Sequence, residues 1–197
     1  MSELLDIKGR TAFVTGAGQG VGRQVALYLA QHGAGAVVVN DFHAERAESV
    51  AAEVEAAGAK ALPLAFDVSD FEAVGAAFAE AQETFGGVDI LVNNASAIAL
   101  TGTEATSMKS YDLMHQINSR GTFLASKLCL PHLRKAENPH ILNLSPPLNM
   151  TPHWFGRHVA YTMAKYGMSL CVLGMADEYR GKVAVNALWP KTVINTA

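Results

Sequence analysis

Cysteine is almost missing from this chain. Only Cys129 and Cys171 occur, both in stretches with helical periodicity, which argues against a disulfide framework and for a reducing compartment. Charge is sparse too: 17% of the residues are Asp, Glu, Lys or Arg, the net charge is −3, and no Lys/Arg run occurs. That balance gives no electrostatic footprint for nucleic acid. No apolar run approaches the ~18 residues of a membrane span. The first residues, Met1 to Asp6, are acidic and lack the basic start and apolar core of a signal peptide. A cytoplasmic location is therefore expected, with neither nucleic acid nor membrane as partner. His153 and His158 stand five apart with no Cys or acidic partner in metal-ligand spacing, so no metal site is expected.

What the chain does have is alternation. Half of its 197 residues are hydrophobic, enough for one well-buried core over 1–197. Short apolar runs at 11–15, 36–40, 61–66, 88–92, 140–144 and 182–188 read as strands. Between them, helical patterns run over 19–32, 44–57, 70–85, about 109–135 with a break near Gly121, and 157–179. Asp70 stands where a cap would, and Pro63 places the third strand at or near an edge. Strands alternating with helices imply parallel pairing through right-handed crossovers. The expected fold is α/β, a Rossmann-like doubly wound sheet in the order 3-2-1-4-5-6.

Two motifs point to chemistry. Thr15-Gly16-Ala17-Gly18-Gln19-Gly20-Val21-Gly22 lies between the first strand and the first helix. Glycines there let backbone N–H groups and the helix dipole meet a dinucleotide's phosphates. Asp41 ends the second strand, where a carboxylate can accept from ribose hydroxyls and repel a 2′-phosphate; NAD is preferred, with NADP as the alternative because Arg23 and Arg46 lie nearby. Asp67 and Val68 follow the third strand, where adenine would lie, and Asn93-Asn94-Ala95 follow the fourth, near the ribose. Far downstream, Tyr161 and Lys165 are four residues apart on one helix face. An ammonium beside a phenol favours the phenolate, lowers its pKa and makes it a usable acid/base.

In order and approximate spacing, Thr15-Gly16, Gly20, Gly22, Asp67, Asn93-Asn94-Ala95, Asn118, Tyr161, Lys165, Asn186 and Pro190 resemble the short-chain dehydrogenase/reductase family. The resemblance covers essentially the whole chain, and from Asn93 onward it is closer to one subgroup. It implies an NAD(P)-dependent oxidoreductase that interconverts a secondary alcohol and a ketone. Tyr161 would carry the proton, Lys165 would also grip the nicotinamide ribose, and Asn118 would hold a relay water. Pro190 and Thr196 would contact the cofactor, Thr196 at the carboxamide.

Two departures from the family pattern stand out. Pro146 occupies the slot of the serine that polarises the substrate carbonyl, leaving Ser145 as the first replacement and Asn149 or Thr151 as others. Pro190-Lys191 stands in place of Pro-Gly, and the family's substrate lid and last strand are not expected within 1–197, a C-terminal truncation relative to the family. The substrate would be a small-molecule alcohol or ketone, with steroid, fatty acyl and small alcohol classes all open. Met150 and Trp154-Phe155 suit either a hydrophobic substrate wall or packing under the loop. The family's pairing of two long helices implies a homodimer through 109–135 and 157–179. A non-catalytic dinucleotide-binding protein, or a fragment of a dehydrogenase, is the alternative reading.

Overall fold

The run Ala12-Phe13-Val14 sends alternate side chains to opposite faces of a sheet, and that split organises the molecule. Phe13 joins one apolar core with Val38, Leu91, Ile141 and Val185. Ala12 and Val14 join a second core with Val37, Val39, Ile90 and Val92. Strands apolar on both faces must be covered on both, as in a parallel sheet.

The computed structural model describes residues 6–190. Its strands are β1 Thr11–Val14, β2 Ala36–Asp41, β3 Lys60–Ala65, β4 Ile90–Asn93, β5 His140–Leu144 and β6 Ala184–Leu188. The α-helices are α1 Gly20–Gln31, α2 Ala44–Ala56, α3 Phe71–Phe85, α4 Met108–Met114, α5 Thr122–Leu133 and α6 Val159–Glu178. All strand pairs are parallel, and the order is β3-β2-β1-β4-β5-β6, as expected. α1 and α2 supply the core containing Val14; α3, α5 and α6 supply the core containing Phe13. Pro63 lies in β3, which among the described residues pairs only with β2, so its missing N–H removes no ladder bond on a second side. Asp70 caps α3 by accepting from the Ala73 N–H at 3.0 Å, a contact worth about 1 kcal/mol.

The long helix expected over 109–135 is one rod with an altered middle. Between α4 and α5, residues His115–Gly121 form a wider π-helical segment, a distortion frequent at functional sites. It lies directly against α6. A Cβ on Gly167 would come within 2.2 Å of Ser119 Oγ, which donates to the Ala164 carbonyl at 2.9 Å. Only glycine permits that approach, which brings Asn118 and Tyr161 to the same end of the sheet.

A buried polar knot ties the middle strands to the helices. Asn93 Nδ2 donates to Asn143 Oδ1 at 2.8 Å and to Ser126 Oγ at 3.0 Å. This corrects one expectation: the Asn93 amide lies inside the fold and not by a ribose, because it is the last residue of β4 and points into the core. Cys129 and Cys171 are free thiols. Among the described residues no helix is long and apolar enough to cross a membrane.

Candidate active site

The carboxyl ends of the strands open onto a cleft of about 1400 Å³, the usual position for a ligand on an open α/β sheet. At one end stands the start of α1. Gln19 provides no side-chain cap and the first turn holds no acid, so among the described residues the helix N-terminus presents its orphan N–H groups without a side-chain cap. Gly16, Gly20 and Val21 line the cleft there. This donor set fits a diphosphate.

The glycine loop is fastened from behind. Thr15 Oγ1 accepts from the Asn94 and Ala95 N–H groups at 3.0 and 3.1 Å and donates to the Val92 carbonyl. Asn94 Nδ2 donates to the carbonyls of Thr15 and Gly16 at 3.0 and 2.8 Å. Asn40 Oδ1 accepts from the Gly16 N–H at 3.3 Å. Thr15 and Asn94, expected at the cofactor, thus shape its loop, and Asn94 also lines the cleft. Gly22 is buried behind the loop, where its lack of a side chain lets α1 pack on Asn94 and Gly16. Asn40 was not singled out from the sequence; its signal was an amide at the end of the apolar run Ala36-Val37-Val38-Val39.

Asp41 lies at the cleft wall, with Oδ2 accepting from the Gly18 N–H at 3.1 Å and Oδ1 from the His43 N–H at 3.0 Å. Of the two cations near it in sequence, Arg23 is ion-paired with Glu53, whereas Arg46 lines the cleft. Asp67 and Val68 line it as well, the Asp67 carboxylate accepting from the Ser69 N–H and hydroxyl at 2.8 Å each.

At the other end, Tyr161 and Lys165 project from α6 into the same cleft. Lys165 Nζ donates to the Leu144 carbonyl at 2.8 Å and reaches Met168 Sδ at 3.1 Å. Burial lowers its pKa to about 8. Burial pushes the Tyr161 phenol up, and a hydrogen bond with Ser96 opposes that rise. The lowering expected from an adjacent ammonium is therefore not the outcome here: desolvation dominates, and Lys165 is engaged with β5 instead. Asn118 is fully buried in the π-helical segment, both ends of its amide bonded to Ala97. Ser145 lines the cleft with its Oγ buried and unpartnered among the described residues. Asn149 and Thr151 bond each other across a turn, Asn149 Oδ1 accepting from the Thr151 N–H. Tyr166 clamps that loop through the Asn149 backbone. Neither Ser96 nor Tyr166 was anticipated; Ser96 lines the cleft, and Tyr166 acts through a tertiary contact that has no local pattern. Trp154 and Pro190 line the cleft mouth, Phe155 packs on Tyr166, and Met150 is exposed. Thr196 and Lys191 lie outside the described residues.

Residues 10–197 match the family model described as short chain dehydrogenase. Hydroxysteroid dehydrogenase-like protein 2 from Danio rerio is 59% identical over 97% of this chain and 48% of its own length. The chain thus spans about half the length of the curated relatives it matches, and the likeness is not confined to the part after Asn93. A crystal structure of a short chain dehydrogenase from Mycobacterium thermoresistibile superposes with a TM-score of 0.92 at 44% identity, over 97% of this chain and 70% of that one. A 7α-hydroxysteroid dehydrogenase complexed with NADH and 7-oxo glycochenodeoxycholic acid superposes with a TM-score of 0.85 at 28% identity, over 96% of this chain and 74% of that one. A family match from residue 10 onward, joined to a shared fold at 44% identity, leaves one assignment: the chain belongs to the short-chain dehydrogenase family.

Proposed function

We propose that the chain is an NAD(P)-dependent oxidoreductase, with NAD preferred, that interconverts a secondary alcohol and a ketone. One observation carries the reading: the uncapped start of α1 and the Tyr161–Lys165 pair open into a single cleft. When bound, a nicotinamide dinucleotide supplies the hydride acceptor or donor. Gly16, Gly18, Gly20, Val21 and Gly22 would hold its phosphates. Asp41, Asp67, Val68 and Asn94 would hold its adenosine end, and Lys165, Pro190 and Thr196 its nicotinamide end. In this reading 1–197 acts as one dinucleotide-binding domain in the cytoplasm.

Tyr161 takes the proton from the alcohol, or returns it to the ketone oxygen, at its phenol oxygen. Lys165, sheltered beside the Leu144 carbonyl, keeps a positive charge in the same cleft below about pH 8. Ser145 keeps an unused donor in the cleft wall and is the candidate partner for the substrate oxygen. Asn118 fixes the backbone opposite Tyr161. The apolar cleft mouth at Ile98, Leu100, Leu113 and Trp154 suits a hydrophobic alcohol; the steroid named in the 28%-identical neighbour is one such substrate class. Exposed Phe123 on α5 and Met163, Leu170 and Leu173 on α6 support a homodimer through these helices.

Fluorescence titration with NADH and NADPH, followed by a panel of secondary alcohols that includes 7-hydroxysteroids, tests this. Saturable binding that favours NADH, with turnover abolished by Tyr161→Phe, is expected. Absence of binding to either cofactor overturns the reading. Binding without turnover of any alcohol supports the second reading, a non-catalytic dinucleotide-binding protein or a dehydrogenase fragment, which Pro146 in the serine slot favours.

A further inference from the structure

The loop between β5 and α6 walls one side of the cleft with Ser145, Pro146, Pro147, Asn149 and Trp154, yet residues 147–154 are exposed. Pro146 and Pro147 have no N–H to give, so two backbone donors are lost to the loop. Three side chains of α6 fasten it. Ser169 Oγ donates to the Pro146 carbonyl at 2.6 Å, and Thr162 Oγ1 donates to the Trp154 carbonyl at 3.2 Å. Between them, the Tyr166 hydroxyl donates to the Asn149 carbonyl at 2.8 Å and accepts from the Asn149 N–H at 3.2 Å. Phe155 lies edge-on to the Tyr166 ring, their centroids 4.9 Å apart. Thr162, Tyr166 and Ser169 stand at i, i+4 and i+7, one stripe of the helix. Tyr161 and Lys165 precede Thr162 and Tyr166 by a single residue each, about 100° round the helix.

We infer that Tyr166 is a positioning residue for the substrate: by holding both backbone groups of Asn149 it locks the loop after β5 onto α6 and sets the cleft wall against the Tyr161–Lys165 pair. The inference rests on the proposed oxidoreductase role of that pair. A hydroxyl that donates to and accepts from one residue fixes the loop against both sliding and rotation. Because the clamp and the pair share one helix, a shift of α6 carries the wall along with the reacting groups. The same fastening serves Ser145. Its N–H donates to the Leu188 carbonyl at 3.3 Å and its neighbour Pro146 is held by Ser169, while its own Oγ stays buried and unpartnered among the described residues.

Tyr166→Phe keeps the ring on Phe155 and removes both bonds to Asn149. The first arm of the test needs no substrate: backbone order parameters of the full chain, from NMR relaxation. The informative amides are those of Thr151 and Trp154, whose own acceptors, Asn149 Oδ1 and the Thr151 carbonyl, the substitution leaves in place. Both are expected to fall by about 0.2 or more from the ~0.85 of rigid backbone, while the amides of β4 keep their values. Unmoved Thr151 and Trp154 amides, or an equal fall in β4, overturn the inference. The second arm is kcat/KM for the alcohol of the panel that the parent turns over best, counted per NADH-binding site. It is expected to fall about tenfold in Tyr166→Phe, with NADH affinity kept within about twofold. An unchanged kcat/KM, or a loss confined to NADH affinity, overturns the inference and leaves the proposed function standing. A parent chain that turns over no alcohol overturns the proposed function and the substrate role with it, and the order parameters still decide whether Tyr166 holds the loop.

Discussion

Asn118 closes both ends of its side-chain amide on one residue, accepting from the Ala97 N–H at 3.1 Å and donating to the Ala97 carbonyl at 2.8 Å. The pair joins the π-helical segment to the strand-end loop after β4. Because Asn118 is fully buried, neither bond can be replaced by water without opening the fold.

Asn118→Asp keeps the shape but puts a carboxylate oxygen against the Ala97 carbonyl. A buried acceptor facing an acceptor should destabilise the fold by about 2–4 kcal/mol at neutral pH. The carboxyl pKa would be raised in the folded state, so acidification toward about pH 5 should recover part of the loss as the protonated acid donates again. Urea unfolding at both pH values measures this. An equal deficit at the two would show that the bond to the carbonyl is not the source.

Asp41 supports the loop and, in the proposed function, also reads the ribose, so its removal should separate the two tasks. Asp41→Ala leaves the Gly18 N–H without its acceptor, a loss of about 1 kcal/mol in stability. It also leaves Arg46 on the cleft wall without the opposing carboxylate beside it. The ratio of NADPH to NADH affinity should rise about tenfold or more, and paired fluorescence titrations report it. A ratio unchanged by the substitution would mean that Asp41 acts on the loop alone.

Two glycines make opposite forecasts. A Cβ at Gly22 would fall 2.3 Å from both the Gly16 carbonyl oxygen and Asn94 Nδ2, so Gly22→Ala must displace the phosphate loop. It should destabilise the fold by about 1–3 kcal/mol and weaken dinucleotide binding. Gly75, inside α3, has nothing within 4 Å of the same added atom. Gly75→Ala should therefore stabilise the fold by about 0.5–1 kcal/mol. Thermal unfolding of both variants decides the matter.

Burial holds Lys165 at a pKa of about 8, below the ordinary 10.5. A lysine whose folded pKa is depressed costs stability in full below the folded value, and the cost is relieved as pH rises toward the unfolded value. Lys165→Met should therefore be more stable than the parent by about 1–3 kcal/mol at pH 7, with the gap shrinking between about pH 8 and 10.5. The same variant should lose turnover. Melting temperatures across this range test the sign; a gap that widens with pH would refute it.

Element order, sheet order and the glycine loop were legible in the residues, as was the family. Strand and helix periodicities are local, and Thr11–Val14 or His140–Leu144 can bury both faces only inside a doubly covered sheet. The shape of the middle helix was partly legible: a break near Gly121 was expected, but the π-helical turns of His115–Gly121 arise from packing against α6 and Ala97. Sequence spacing placed Tyr161 and Lys165 on one helix face and so suggested that the ammonium would govern the phenol.

The sequence by itself determined which backbone segments are strands and helices and where the glycine loop lies, because each follows from residue type and short-range spacing. Only the tertiary structure decided how the polar side chains are used. It sent Lys165 to the Leu144 carbonyl and turned Asn93 into the core and Asn118 onto Ala97. Those pairings join atoms far apart along the chain, and they are chosen by the need to satisfy buried polar groups together, a condition that no local pattern carries.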